Sequence, residues 1–560
     1  MDAVRAFAML LGIALHAALS FSTIPWIVQD SRQNEWFKLF VEALHGFRMP
    51  LFFLVSGFFT AMLWRRRGVR LLLKQRAMRI LLPLVLGALT VIPATNVVSF
   101  WAMISAIKAP QSPSDDGTLI AAVKKGDLAA IRQRLDEGAD VSAADAKFGV
   151  TALDWAAMRG DTEAVQLLID GGADVNGSNK DGSTALHGAA FLGRARAVEL
   201  LIRKGAHTEV RNIRRETPLD ATKVDWGITR YIASLLDLPI GDKGEIEQGR
   251  LEVARLLGEQ APATGAPGET ARQPLTEKAS DVLEAYQGAI TSDRLSLRVG
   301  DGSFHLVQTP VFAHLWFLWF LCWLVPIFAA LAWASDRYRW GKFPRLLVLS
   351  PIRFLWLIPL TLLPQFFMGL NGPSFGPDDS TGILPMPHLL LCYGIFFGFG
   401  ALYFDSDDEE GRLGRWWWLL LPVGFFLALP IGLALMVFRP ITSIAQVVYT
   451  WTMSFGIMGL FRRMLKRENT TVRYLSDASY WLYLTHLPLI LAAQVAVRDW
   501  PLPATLKFVL ICSTVTAVLL VAYHTTVRYT WIGTMLNGPR TRPASMARHS
   551  RTSPIGLETT

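Results

Sequence analysis

The sequence predicts an all-α protein: a polytopic membrane helix bundle of about ten transmembrane helices, interrupted by an inserted α-solenoid. Three observations carry that expectation. Hydrophobic residues make up 51% of the 560-residue chain and charged residues only 18%, whereas soluble proteins carry about 25% charge. Apolar stretches near 20 residues, long enough to cross a bilayer as helices, recur at both ends of the chain. The polar stretch between them repeats itself. A mean hydropathy of +0.31, with 19 Trp and 32 Phe, excludes disorder and a collagen-like fibre. Three cysteines in the whole chain exclude a disulfide scaffold.

Taken in order, the spans are expected at residues 3–21, 45–64, 80–100, 312–333, 352–371, 388–404, 416–437, 442–460, 479–497 and 504–523. Histidine within the first apolar run and the lack of a clear cleavage site mark it as a retained helix rather than a signal peptide. Orientation follows from Lys and Arg. The segments after spans two, four, six, eight and ten hold roughly 23 of them, and the four short loops on the other side about four. Arg65, Arg66, Arg67, Arg70, Lys74, Arg76 and Arg79 form the densest run. This bias predicts a plasma (inner) membrane protein with both termini in the cytoplasm and the insert outside. The divisions expected are a membrane part over 1–100, an extracytoplasmic insert over 101–311, a second membrane part over 312–530 and a basic cytoplasmic tail over 531–560. Trp416, Trp417 and Trp418 read as an aromatic belt at the inner interface.

The insert carries Thr151-Ala-Leu-Asp-Trp-Ala-Ala, Thr184-Ala-Leu-His-Gly-Ala-Ala and Thr217-Pro-Leu-Asp-Ala, spaced by 33 residues, a spacing that resembles the ankyrin repeat. Gly138, Gly172 and Gly205 fall where a left-handed residue would stop each second helix. The resemblance covers about 117–260, with degenerate caps at 117–150 and 226–260 and a linker at 261–274. It implies a protein-binding module whose partner is unknown; a spacer or stabilising cap is the other reading.

Ionisable groups inside a bilayer cost about 3 kcal/mol each and are functional candidates. Arg5 and His16 lie eleven residues apart, about three full turns of helix, so they share one face roughly 16 Å apart along the axis. A sugar hydroxyl is a weak nucleophile that needs a base, and histidine titrates in the right range. Cys322, Cys392 and Cys512 all fall in spans. No Cys/His spacing suggests zinc, so no metal is expected, and nothing suggests a nucleic-acid partner. Ser56 and Ser479 read as packing residues rather than nucleophiles.

These residues also carry a likeness. Arg5, ten residues, His16 resembles the first-helix mark of the membrane acyltransferase 3 family. Met49-Pro-Leu-Phe-Phe-Leu-Val-Ser-Gly57, Arg76-Ala-Met-Arg79-Ile-Leu-Leu-Pro83, His314-Leu-Trp-Phe-Leu318 and Ser479-Tyr-Trp-Leu-Tyr-Leu-Thr-His486-Leu-Pro488 resemble later signatures of that family, in its order. The likeness covers about 1–100 and 305–530, and two of its features depart from the family. The insert is unusual, and Arg48 stands where many relatives have another polar residue. The resemblance implies transfer of an acetyl or succinyl group from cytoplasmic acyl-CoA to a hydroxyl of an extracytoplasmic carbohydrate. It implies catalytic roles for His16, Arg5 and His486, and substrate contacts by Arg76, Arg79, Arg48 and His314. His16 is expected to act as a general base or, alternatively, as a transient acyl carrier. Arg65, Arg66 and Arg67 are expected either to hold phosphates or only to orient the chain. A membrane exporter of a small anionic or acylated compound and a membrane-anchored ankyrin scaffold remain as other readings.

Overall fold

The computed structural model describes residues 1–108, 118–260 and 282–538, apart from Pro25, 146–148, 213–215, 370–374, 466–468 and scattered positions within 225–239 and 284–308 and at 342, 379 and 437. The linker expected at 261–274 and the tail beyond 538 lie outside the described residues. The described residues form two compact units, each with its own apolar core: one over those of 1–108, 282–369 and 375–538, the other over those of 118–260.

The larger unit is a helix bundle. Among the described residues, it contains eight helical stretches long and apolar enough to cross a membrane. The ten expected spans map onto them with two differences. Spans two and three belong to one stretch, Glu35–Ser105, built from α2 (Glu35–Arg76) and α3 (Leu82–Lys108) with a π-helical turn, Ala77–Leu81, between them. Gly68, at φ 74°, takes a conformation that a side chain would strain and breaks α2 just after its Arg65–Arg67 run. Span five shrinks to a 13-residue helix, Arg353–Gln365. At 1.5 Å per residue that is about 20 Å, short of a bilayer core of about 30 Å.

The first helix, α1 (Asp2–Leu19), packs against α2 and against the helix Thr470–Val497. Its apolar residues alternate around the helix, and Val4, Ala8, Ile13 and Ala17 are buried. Helix α2 lies in direct backbone contact with the helix Pro387–Asp405. A Cβ on Gly57 would fall on the Phe397 carbonyl, and one on Gly400 on that of Leu54. Small residues let helices pack this closely in a membrane. The described residues between 282 and 311, expected in the insert, belong to the bundle, including a short hairpin of β1 (Ser296–Val299) and β2 (Gly302–His305) paired antiparallel.

The smaller unit is a stack of helix pairs. The clearest are Ala152–Arg159 with Thr162–Asp170 and Ala185–Phe191 with Ala195–Arg203. Each recurring threonine opens a helix through a reciprocal cap, Thr151 with Asp154, Thr184 with His187 and Thr217 with Asp220. Gly138, Gly172 and Gly205 take φ of 78°, 96° and 91°. Leu153, Ala156, Val165, Leu186 and Leu201 bury the helix faces against neighbouring repeats.

Candidate active site

The two ionisable ends of α1 sit in different chemical surroundings. Arg5 donates to the Ser476 hydroxyl at 2.7 Å, pairs with Asp2 at 3.3 Å and lies 5.4 Å from the centre of the Phe59 ring. Arg76 donates to the Thr60 hydroxyl at 2.8 Å. Arg79 sits in the π-helical turn, where its carbonyl accepts from the Tyr480 hydroxyl at 2.5 Å. Arg5, Arg76 and Arg79 are close enough to repel one another. Like charges gathered this way favour an anion, and guanidinium groups match phosphate geometry. Arg65 is engaged otherwise: it holds Asp405 by two bonds, at 2.9 and 2.6 Å, and covers the Trp64 ring.

At the far end of α1, three imidazoles stand in a row. The His16 ring lies 5.2 Å from that of His486, and His486 lies 5.2 Å edge-on from His314. They come from three distant parts of the chain: the last turn of α1, the 3-10 turn Ala313–Leu315 and the middle of the helix Thr470–Val497. Arg48, from α2, reaches the same place. A Cβ on Gly12 would lie 2.9 Å from Arg48 Nη1 and 3.9 Å from His486 Nε2. Gly12 therefore leaves room for the guanidinium beside the row.

The proton positions follow from the partners. A carbonyl only accepts, so His486 Nδ1, at 3.1 and 2.8 Å from the Leu482 and Tyr483 carbonyls, must carry the hydrogen. His486 Nε2 is then a bare lone pair. His314 Nε2 donates to the Leu484 carbonyl at 3.1 Å, leaving its Nδ1 bare. His486 Nε2, His314 Nδ1 and His16 Nδ1 are buried and have no hydrogen-bond partner among the described residues. Buried polar atoms are nearly always bonded. Three exceptions in one cluster mark a place where a bound molecule can supply the missing bonds. Among the described residues, no group of three His, Cys, Asp or Glu converges as metal ligands.

Thus His16, His486, His314 and Arg48 come together, as do Arg5, Arg76 and Arg79 at the opposite end. His388 stands outside the row and bonds the Tyr286 hydroxyl at 2.7 Å. Ser479 donates to the Ser476 carbonyl within its own helix. Sequence reasoning missed several neighbours. Trp26 stacks on His16, with centroids 5.7 Å apart and planes 22° apart. Gln494 donates to the His16 carbonyl at 2.9 Å and accepts from the Trp26 indole at 3.0 Å. Tyr483 donates to the His314 carbonyl at 2.8 Å, and His45 bonds the Pro377 carbonyl. A polar residue two turns beyond His486 in an apolar helix was a usable signal for Gln494. Trp26 had none.

Comparison with known proteins adds to this geometry. A family model described as an acyltransferase domain matches residues 1–117 and 273–524, more than half of the chain. A model of ankyrin repeats in three copies matches residues 119–212. Among curated proteins, the glucans biosynthesis protein C of Salmonella paratyphi B and that of Salmonella heidelberg are each 38% identical to this chain over 100 residues. That stretch is 18% of this chain and 25% of each relative, so the alignment spans only about a quarter of the relatives' length.

Proposed function

The chain belongs to the acyltransferase domain family, as an integral membrane protein bearing ankyrin repeats, and from that premise we propose that it moves an acyl group from cytoplasmic acyl-CoA to a hydroxyl of an extracytoplasmic carbohydrate. The observation that carries this reading is the pair of clusters at the two ends of α1: gathered arginines at one end, and unpartnered imidazole nitrogens beside Arg48 at the other. The name of the matched relatives points to a glucan as the acceptor class, and the acyl group is acetyl or succinyl.

In this mechanism, Arg5, Arg76 and Arg79 hold the phosphates of the donor at the cytoplasmic surface. The thin thioester arm threads along α1 over roughly 16 Å to the histidine row. His16 takes the proton of the acceptor hydroxyl, and the freed oxygen attacks the thioester carbonyl. Arg48 faces the negative charge that develops on the carbonyl oxygen, where a fixed cation is worth most. The carbon–sulfur bond then breaks, and the proton carried by the imidazole passes to the departing sulfur. A base placed this way contributes about 10²–10⁴-fold. His486 and His314 border the acceptor side. The plasma membrane is the proposed location, with the arginine end of α1 facing the cytoplasm and the ankyrin unit outside, where it binds a protein partner.

The test is a comparison, by mass, of surface glycans from cells carrying the wild type, His16→Ala or no gene. Acyl groups present with the wild type and missing with His16→Ala at equal membrane levels support the reading. Acylation that survives His16→Ala rules out the assigned base.

A further inference from the structure

The carbonyl of His16 is one of the last four of α1, which have no partner inside their own helix. Gln494, 1% exposed, satisfies it at 2.9 Å through its amide nitrogen, while its amide oxygen takes the Trp26 indole hydrogen at 3.0 Å. Burying an amide costs free energy unless both of its ends are bonded, and here both are. The indole that Gln494 fixes is the one stacked on the His16 ring. The other neighbour of that ring, His486, stands eight residues before Gln494 on the same helix. One helix therefore holds the backbone of His16, aims the ring on one side of it, and supplies the ring on the other.

The loop that carries Trp26 is itself anchored. Its Asp30 donates from its backbone N–H to the Ser20 carbonyl at 3.0 Å, and Asn34 does so to the Phe21 carbonyl at 2.9 Å. The Asp30 carboxylate accepts from Lys507 at 2.7 Å, with both side chains buried. Lys507 also donates to the Arg498 carbonyl at 2.7 Å. The indole is thus held from its own loop as well as from Gln494.

We propose that Gln494 and Trp26 are positioning residues that hold the His16 imidazole at the angle acyl transfer requires; the proposal rests on His16 being the base. Neither residue hydrogen-bonds a nitrogen of the His16 ring. Gln494 acts on the backbone of His16 and on the indole, and Trp26 acts on the plane of the ring.

The experiment uses the full-length protein in native membranes, with acetyl-CoA or succinyl-CoA as donor and a glucan oligosaccharide as acceptor, and reports rates per folded molecule. Gln494→Met, which keeps length and loses both hydrogen bonds, is expected to lower kcat roughly 10- to 100-fold with the donor KM within about two-fold of wild type. Trp26→Ala should follow it, while Trp26→Phe, which keeps a stacked ring, should restore most of kcat. A residue that only stabilises the fold would lower the amount of folded protein and leave kcat per molecule unchanged. If His16→Ala is inactive while Gln494→Met keeps the wild-type kcat, the positioning role is overturned and the functional reading stands. Should Gln494→Met fail to accumulate, equal kcat for Trp26→Ala and wild type would overturn it instead. Transfer absent from wild type, or unchanged in His16→Ala, would overturn the functional reading itself, and this role with it.

Discussion

Adding one methyl group at Gly12 separates activity from stability. The new Cβ would sit 2.9 Å from Arg48 Nη1 and 3.9 Å from His486 Nε2. Carbon and nitrogen prefer to stay more than 3.4 Å apart, so the guanidinium must retreat by at least half an ångström. Two stability effects oppose each other. Alanine in a helix interior is favoured over glycine by about 1 kcal/mol. Crowding a packed site costs about 1–3 kcal/mol, toward the low end here because the obstacle is the tip of a flexible side chain. The net change is close to zero. Catalysis has no such compensation. A displacement approaching 1 Å at a reacting centre can cost about 10²-fold, and Arg48 is proposed to face the developing oxyanion. Gly12→Ala is therefore expected to lower kcat about 10- to 100-fold while the melting temperature of the purified protein shifts by only a few degrees. The assay is acyl transfer per folded molecule beside a thermal melt. A wild-type kcat in a well-folded Gly12→Ala protein would refute the placement of Arg48 at the reaction centre.

Other outcomes follow from the same geometry. Lys507→Met leaves the buried Asp30 carboxylate without its cation, which costs about 3–5 kcal/mol; a melt of the full-length protein should show this loss, and adding Asp30→Leu should recover most of it. In the ankyrin unit, burial pushes the Asp154 carboxyl up to about 6, against the bonds from Thr151 that favour its charged form. Because the folded value lies above the unfolded one, this contribution is full below about pH 4 and is lost as pH rises through about 6, at most about 3 kcal/mol. Hydrogen exchange at the amides of the helix Ala152–Arg159 should therefore show weaker protection at pH 7 than at pH 5, after correction for intrinsic rates, and Asp154→Asn should remove most of that difference. His187, held below its ordinary value by burial, works in the opposite sense, so the comparison between variant and wild type isolates Asp154.

Much of the fold was legible because its causes are local. A run of apolar residues must form a helix where no water can bond the backbone. The spans therefore follow from composition and length. The ankyrin stack follows from a threonine cap and a left-handed glycine recurring at a fixed period. Errors arose where neighbours override local pattern. Residues 352–371 are apolar enough to span, yet Pro359 and Pro364 accompany a helix of only 13 residues. Spans two and three stay separate at Gly68, where the backbone leaves the helical conformation, but the second half of α2 runs through the π-helical turn into α3 with no loop. The described residues between 282 and 311, expected in the insert for their polarity, belong to the bundle.

The sequence alone determined that this chain is a membrane helix bundle with ankyrin repeats and that it belongs among membrane acyltransferases. It also put Arg5 and His16 on one face of one helix, since helical geometry fixes where residues eleven apart must point. It was silent on the company each keeps. His16 meets a histidine 470 residues away, and that histidine meets another 172 residues before it, because the packing of α1 against the helix Thr470–Val497 draws distant segments together. The clamp of Gln494 and Trp26 likewise exists only once α1 ends against its neighbour and leaves a carbonyl to be satisfied. Side-chain convergence of that kind is a property of packing, and no periodicity in the chain encodes it.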